Sequence, residues 1–156
     1  MNIHQATMEE VEAAAVLFDQ YRQFYKQDPD LEGAKAYIEQ RMTRKDSVIF
    51  LVKEKDNYVG FTQLYPTHSS ISMRNAWILN DLYVIPAARG KGIGELLLNK
   101  AKDFAKDTRA VSLSLSTAFD NYTAQKLYEK KGYSKEADFF HYSLPLDEAA
   151  TIQNPR

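Results

Sequence analysis

The chain has no cysteine in its 156 residues. That removes disulfides, thiolate metal sites and a cysteine nucleophile together. Glycine and proline are also sparse, at 6 and 5, so a place where glycines cluster carries information. Neither sign of charge dominates: Lys plus Arg is 20, Asp plus Glu is 21, and the net charge is −1. A general basic field for nucleic acid is therefore excluded, and any positive site must be local. No apolar run reaches the ~18 residues of a membrane span. The amino terminus does not place a basic region before an apolar core, so no secretory signal is expected. These absences predict a cytoplasmic protein that partners neither membrane nor nucleic acid. No spacing of His, Asp or Glu suggests a metal site. What is present is enough apolar side chain, 44%, for one domain with a real core. We expect that domain over residues 1–146, with a frayed tail over 147–156.

One stretch organises the rest, Asp81 to Leu98. Leu82 to Ile85 is a short run of strand formers, and Pro86 ends it because proline cannot donate to a ladder. Three of the six glycines follow, at 90, 92 and 94, between Arg89 and the next apolar run. From Ile93 onward apolar residues recur at 93, 96, 97, 101 and 104, which is helical spacing. The glycines thus sit where a helix begins. A helix start offers unpaired N–H groups and partial positive charge, glycine lets an anion approach the backbone, and Arg89 and Lys91 add full charges. This is an anion site suited to a pyrophosphate; the alternative is a surface turn. It is not a P-loop, because Lys91 is followed by Gly92 rather than Ser or Thr. Nor is it a dinucleotide fingerprint, because the spacing is Gly-x-Gly-x-Gly and the next strand ends without an acid.

The remaining elements can be read in order. Met1 to Ala6 suits a strand. Thr7-Met-Glu-Glu10 is a capping-box pattern that opens a helix with Val11, Ala14, Ala15, Phe18, Tyr21 and Tyr25 along one side; Asp28-Pro29 stops it. A second helix spans about Leu31 to Arg44. Ser47 to Glu54 and Tyr58 to Tyr65 read as a hairpin around Lys55-Asp-Asn57. Pro66 to Ser70 reads as irregular, and Met73 to Ile85 as a long strand. The helix from Ile93 ends near Lys106. Val111 to Ser116 alternates apolar with serine. Asp120 or Asn121 caps a helix that Gly132 ends, and Tyr133 to Leu146 contains a last strand. Helix-connected strands late in the chain argue for parallel pairing, and the hairpin for antiparallel pairing. The expected fold is α/β (α+β): a mixed, mostly antiparallel sheet with helices on both faces.

Arg-x-x-Gly-x-Gly at Arg89 to Gly94, after Leu82-Tyr83-Val84, resembles the coenzyme A-binding signature of the GNAT family of N-acetyltransferases. The later Asn121-x-x-Ala124-x-x-Leu127-Tyr128-Glu129-x-x-Gly132-Tyr133 resembles that family's other recurrent segment. The resemblance is sharp over Asp81 to Tyr142. It implies a sheet whose strands Trp77–Ile85 and Val111–Ser116 splay to admit the pantetheine arm. It implies acetyl-CoA as cosubstrate, held by Leu82, Tyr83, Val84, Arg89, Gly90, Lys91, Gly92, Ile93, Gly94 and Asn121. It further implies direct transfer of the acetyl group to a primary amine, with Tyr128 protonating the departing thiolate. Asn121 is otherwise a helix cap, and Tyr128 otherwise a core tyrosine.

Asp81 is the best-placed acid to take the amine proton, directly or through water; otherwise it pairs with a nearby cation. Trp77 to Val84 looks like the polyamine branch of the family, some members of which carry a glutamate where Asn80 stands. Asn80 cannot be a base. Of the histidines at 4, 68 and 141, His68 could border an acceptor pocket built from the first two helices and residues 65–76. Tyr21, Tyr25, Tyr37, Tyr65 and Trp77, with Asp28, Asp30, Glu32 and Asp81, would suit a small cationic amine. Two other functions fit the same sequence: a non-catalytic acetyl-CoA sensor or docking module, and an acetyltransferase acting on protein or peptide amines. The final strand would also allow a homodimer, as the family often forms.

Overall fold

The computed structural model describes residues 1–147. It forms two compact units, one spanning Met1–Leu115 and one beginning at Ser116.

The first unit is a five-stranded sheet in the order β1-β2-β3-β4-β5. Its strands are β1 (Asn2–Gln5), β2 (Val48–Glu54), β3 (Asn57–Ser69), β4 (Arg74–Val84) and β5 (Leu113–Ser114). The first four pair antiparallel, and β5 joins β4 in parallel. The mixed, mostly antiparallel sheet is thus as the sequence predicts. Helices α1 (Val11–Phe24) and α2 (Leu31–Arg44) cover one face. They bury Leu17, Tyr21 and Ile38 against Leu51, Phe61 and Tyr83. Helix α3 (Ile93–Asp107) covers the other face. There the Phe104 ring meets Phe50 at 5.5 Å and Trp77 at 5.1 Å, and Leu97 is fully buried. Each such side chain contributes about 1.5–3 kcal/mol by leaving water.

Local chemistry sets the boundaries. The Thr7 N–H donates to Glu10 Oε1 at 3.1 Å, so the capping residues work, but they form a 3-10 turn over Met8–Glu10 before α1 begins. Glu10 also accepts from His4 Nε2 at 2.7 Å and from the Tyr58 hydroxyl at 2.8 Å. Burial alone would raise its pKa, but these bonds outweigh it and hold the carboxyl below its ordinary value. Asp30 caps α2 by accepting from the Gly33 N–H at 2.9 Å. Buried Asp19 ties the end of α1 to that cap, pairing with Arg22 at 2.7 Å and accepting from the Asp30 N–H at 3.1 Å.

Two backbone details position the site. Gly60 on β3 lies under α3: a Cβ there would meet the Tyr83 carbonyl oxygen at 3.1 Å and Ile93 Cγ2 at 3.2 Å. On β4, the register runs from Gln63↔Asp81 to Leu64↔Leu79, leaving Asn80 as an extra residue. Such a bulge reverses which face later side chains point to. Trp77 therefore faces α3, whereas Asp81 and Tyr83 face α1.

Three expectations are corrected. Residues 66–69 continue β3 rather than forming a loop, since Pro66 to Ser69 stay in register with Arg74 to Trp77. The strand at Val111–Ser116 shrinks to Leu113–Ser114. The second unit holds helix α4 (Tyr122–Lys130), but no strand forms among the described residues of 133–146. Phe140, Tyr142 and Leu144 there are more than four-fifths exposed, so their apolar side chains gain no burial that would hold a strand. The homodimer expectation loses the strand it rested on. Residues 148–156 of the expected tail lie outside the described residues.

Candidate active site

The loop before α3 has the form an anion requires. Pro86–Ala88 makes a 3-10 turn that closes β4. Gly90 and Gly92 then adopt φ of +82° and +81°, which L side chains resist. A Cβ on either would meet nothing within 4 Å, so the glycines serve conformation and an open approach rather than packing. Gly92 is the N-cap of α3, and the helix's first N–H groups, at Ile93, Gly94 and Glu95, have no acceptor within the helix. The two cations are less free than the sequence suggests. Arg89 Nε donates to the Val84 carbonyl at 2.9 Å, and its guanidinium lies over the Phe24 and Tyr83 rings. Lys91 Nζ is 3.5 Å from Glu54 Oε1. The backbone is thus the constant part of the cradle, with Arg89 bracing the end of β4. A cavity of about 540 Å³ beside the loop is lined by Val16, Leu17, Gln20, Tyr58, Ile85 and Lys91 among others.

The neighbouring strand edge is open. β5 pairs with β4 only at Trp77 and Ile78, so at Leu82 to Val84 that edge has no ladder partner among the described residues. Leu82, Tyr83 and Val84 lie on this stretch and lead into the loop.

Asp81 sits at the bulge and is 1% exposed. Its Oδ2 accepts from Gln63 Nε2 at 2.6 Å, and its Oδ1 from Asn80 Nδ2 at 2.8 Å. Tyr21, whose single hydroxyl proton goes to the Asn80 carbonyl at 3.1 Å, stands close enough to help lower the Asp81 pKa. Burial raises the Asp81 pKa to about 6, against the lowering effect of those bonds. The negative charge is felt nearby: burial first, then Asp81, pushes the Tyr25 and Tyr65 phenols up. The Tyr65 hydroxyl shares a 2.7 Å hydrogen bond with that of Tyr37, and Arg41 lies over the Tyr37 ring. Tyr21, Tyr25, Tyr37 and Tyr65 thus gather near Asp81. Trp77 does not join them, because the bulge turns it toward α3, where its Nε1 donates to Thr108 Oγ1 at 2.9 Å. Asp30 is committed to its cap, and His68 is exposed on β3.

In the second unit, Asn121 Oδ1 accepts from the Ala124 N–H at 3.2 Å, so the capping reading holds; the amide NH₂ is not used in that bond. Tyr128 lies half-buried on α4 with its ring 6.1 Å from that of Tyr133. Burial raises the Tyr133 phenol to about 12.

Residues 13–133 match the acetyltransferase (GNAT) family model. The chain belongs to the GNAT family. It is 49% identical over 144 residues to the uncharacterized N-acetyltransferase YhfO of Bacillus subtilis, covering 92% of this chain and 97% of that protein. It is 31% identical over 134 residues to a probable acetyltransferase of Haemophilus influenzae, covering 85% and 90%. A crystal structure of a probable acetyltransferase, 43% identical, superposes with a TM-score of 0.89 over 95% of this chain and 99% of its own. The protein is an acetyl-CoA-dependent N-acetyltransferase. Among the described residues no group of His, Asp or Glu could hold a metal ion, and no helix is long and apolar enough to cross a membrane.

Gln63 was missed by sequence reasoning. A lone glutamine in a strand gives no chemical signal. Only its parity with Phe61, which is buried under α1, could have put it on the inner face.

Proposed function

We propose that this GNAT protein acetylates the primary amine of a small cationic molecule, in the manner of the polyamine branch that Trp77 to Val84 resembles. The observation that carries this reading is the buried carboxylate of Asp81 beside the tyrosines of α1 and β3. A carboxylate next to aromatic faces attracts an ammonium group, and a carboxyl titrating near 6 can take a proton at neutral pH.

Acetyl-CoA supplies an acyl thioester and a diphosphate by which it can be gripped. The residues fit it: the open glycines and the α3 N-terminus suit the diphosphate, and the unpaired edge at Leu82, Tyr83 and Val84 suits an amide-bearing arm. In this reading the N–H groups of Gly90, Lys91, Gly92, Ile93 and Gly94 hold the diphosphate, the Arg89 N–H being spent on the Pro86 carbonyl at 3.3 Å, and the Asn121 amide supports the arm. Asp81 accepts the proton of the substrate ammonium through an intervening water molecule: the N–H bond breaks, the carboxyl O–H forms, and the nitrogen lone pair is freed. Tyr128 gives its phenolic proton to the departing sulfur and regains one from solvent. A phenol of ordinary pKa ~10 is a poor base but a competent donor to a thiolate.

Calorimetry with acetyl-CoA, followed by thiol release across a panel of amines, tests the reading. Release with polyamines or aminoglycosides is expected. Release only with peptides would move the acceptor to protein amines, and no acetyl-CoA binding would overturn the assignment of the loop. Tyr128→Phe should leave acetyl-CoA affinity unchanged and lower kcat about 10²-fold.

A further inference from the structure

Gln63 and Asp81 face each other across β3 and β4, and both are at most 1% exposed. The Nε2 end of the glutamine donates to the carboxylate at 2.6 Å. Its Oε1 is buried with no hydrogen-bond partner among the described residues. An orphaned buried acceptor costs about 1–3 kcal/mol, and it leaves the amide one unused acceptor.

The site has a second state, in which Asp81 has taken up its proton. An ionised carboxylate only accepts, and the donors of Gln63 and Asn80 suit it. A protonated one has an O–H to place. The titratable and charged groups that face this position are few: the phenols of Tyr21 and Tyr25 from α1, and that of Tyr65 from β3. From α2 come the Tyr37 hydroxyl, bonded to Tyr65, and the Arg41 cation stacked on Tyr37. None is a carboxylate. The Gln63 amide, already in contact, has a carbonyl at its other end. A half-turn about its last side-chain bond exchanges the two ends. The orphan then passes from the oxygen to the nitrogen, so its cost is borne in both states and favours neither.

We propose that Gln63 is a positioning residue that reverses its amide with each proton Asp81 takes up, donating to the carboxylate before transfer and accepting from the acid after it. The reacting carboxyl is thereby held in one orientation through both halves of the cycle. This rests on Asp81 being the base.

The test follows the carboxyl carbon of Asp81 and the side-chain amide nitrogen and carbonyl carbon of Gln63 by NMR across pH 4–8, in the wild-type chain and in Asp81→Asn. The Gln63 amide signals should titrate with the same midpoint as Asp81 and become flat in Asp81→Asn. In Gln63→Met, kcat/KM should fall about tenfold, the loss of one hydrogen bond, with its acid limb moved by less than half a pH unit because a partner of both states has been removed. Flat Gln63 signals in the wild-type chain would overturn the proposal. So would an acid limb moved up by a full unit in Gln63→Met, the mark of a residue that only donates. If Asp81 and Gln63 titrate together while the wild-type kcat/KM limb ignores their midpoint, the reversal stands and the assignment of Asp81 as base fails. If Gln63→Met does not fold, the direction is read in the wild-type chain from the coupling across the hydrogen bond between the Gln63 amide nitrogen and the Asp81 carboxyl carbon: it should be present at pH 8 and lost at pH 4, and its persistence at pH 4 would overturn the proposal.

Discussion

The two faces of the sheet are built from the same strands and differ in chemistry. Under α3 the contacts are mainly apolar, among Phe50, Trp77, Leu97 and Phe104, and no ionisable side chain of the described residues is buried among them. Under α1 and α2 the core also holds a buried acid and a buried amide, rimmed by tyrosines. Burying an ionisable group costs several kcal/mol unless partners offset it. The α3 face therefore supplies stability, and the other face uses some of it to keep a carboxyl in an environment where its pKa is useful.

The strongest way to break that contrast is Asp81→Asn. Turnover should fall about 10²–10⁴-fold if the base is lost. Stability should move the other way. A carboxyl raised from 3.8 to about 6 on folding favours the folded state below pH 4, and that contribution is lost as pH rises through 6. The loss is about 3 kcal/mol. Denaturant titrations at pH 4 and pH 7.5 should show this drop in the wild-type chain and not in Asp81→Asn. A variant whose stability keeps the wild-type pH dependence would place the titrating group elsewhere.

Leu97→Ala tests the opposite face. Emptying a fully buried leucine site should cost about 2–5 kcal/mol while leaving the acid limb of kcat/KM where it was. A shifted limb would mean that the two faces are coupled. The smallest expected effect is at the loop: Gly92→Ala at φ +81° should cost about 1–2 kcal/mol of stability. Calorimetry should show weaker acetyl-CoA binding with the amine-dependent pH profile unchanged.

These effects differ in how far the sequence foretells them. The loop was legible because its signal is local: Pro86, three glycines and the start of a helical period lie within a dozen residues. The caps at Thr7, Asp30 and Asn121 belong to the same class, although Asp30 was noticed as a charge rather than a cap. The inner site was only half legible. Asp81 stood out as an acid beside the loop, but its burial depends on one extra residue in β4, and no residue type announces a bulge there. That same residue removed Trp77 from the aromatic set. The strand expected within Tyr133 to Leu146 fails for a related reason. Pattern predicts a strand only when a partner supplies the other half of the ladder and a surface to bury, and in the described residues neither is present.

Gly60 has a consequence of its own. The missing side chain lets α3 rest directly on the backbone of β3, with Ile93 seated against the bare strand. Ile93 is also the first residue after the anion loop. The height of the loop above the sheet is thus gauged by a spacer of zero thickness some thirty residues away in the chain. A single methyl at position 60 would ask Ile93 and the Tyr83 carbonyl to give by a few tenths of an ångström. The position is remote from the loop in sequence, yet it bears on the residue with which the helix begins.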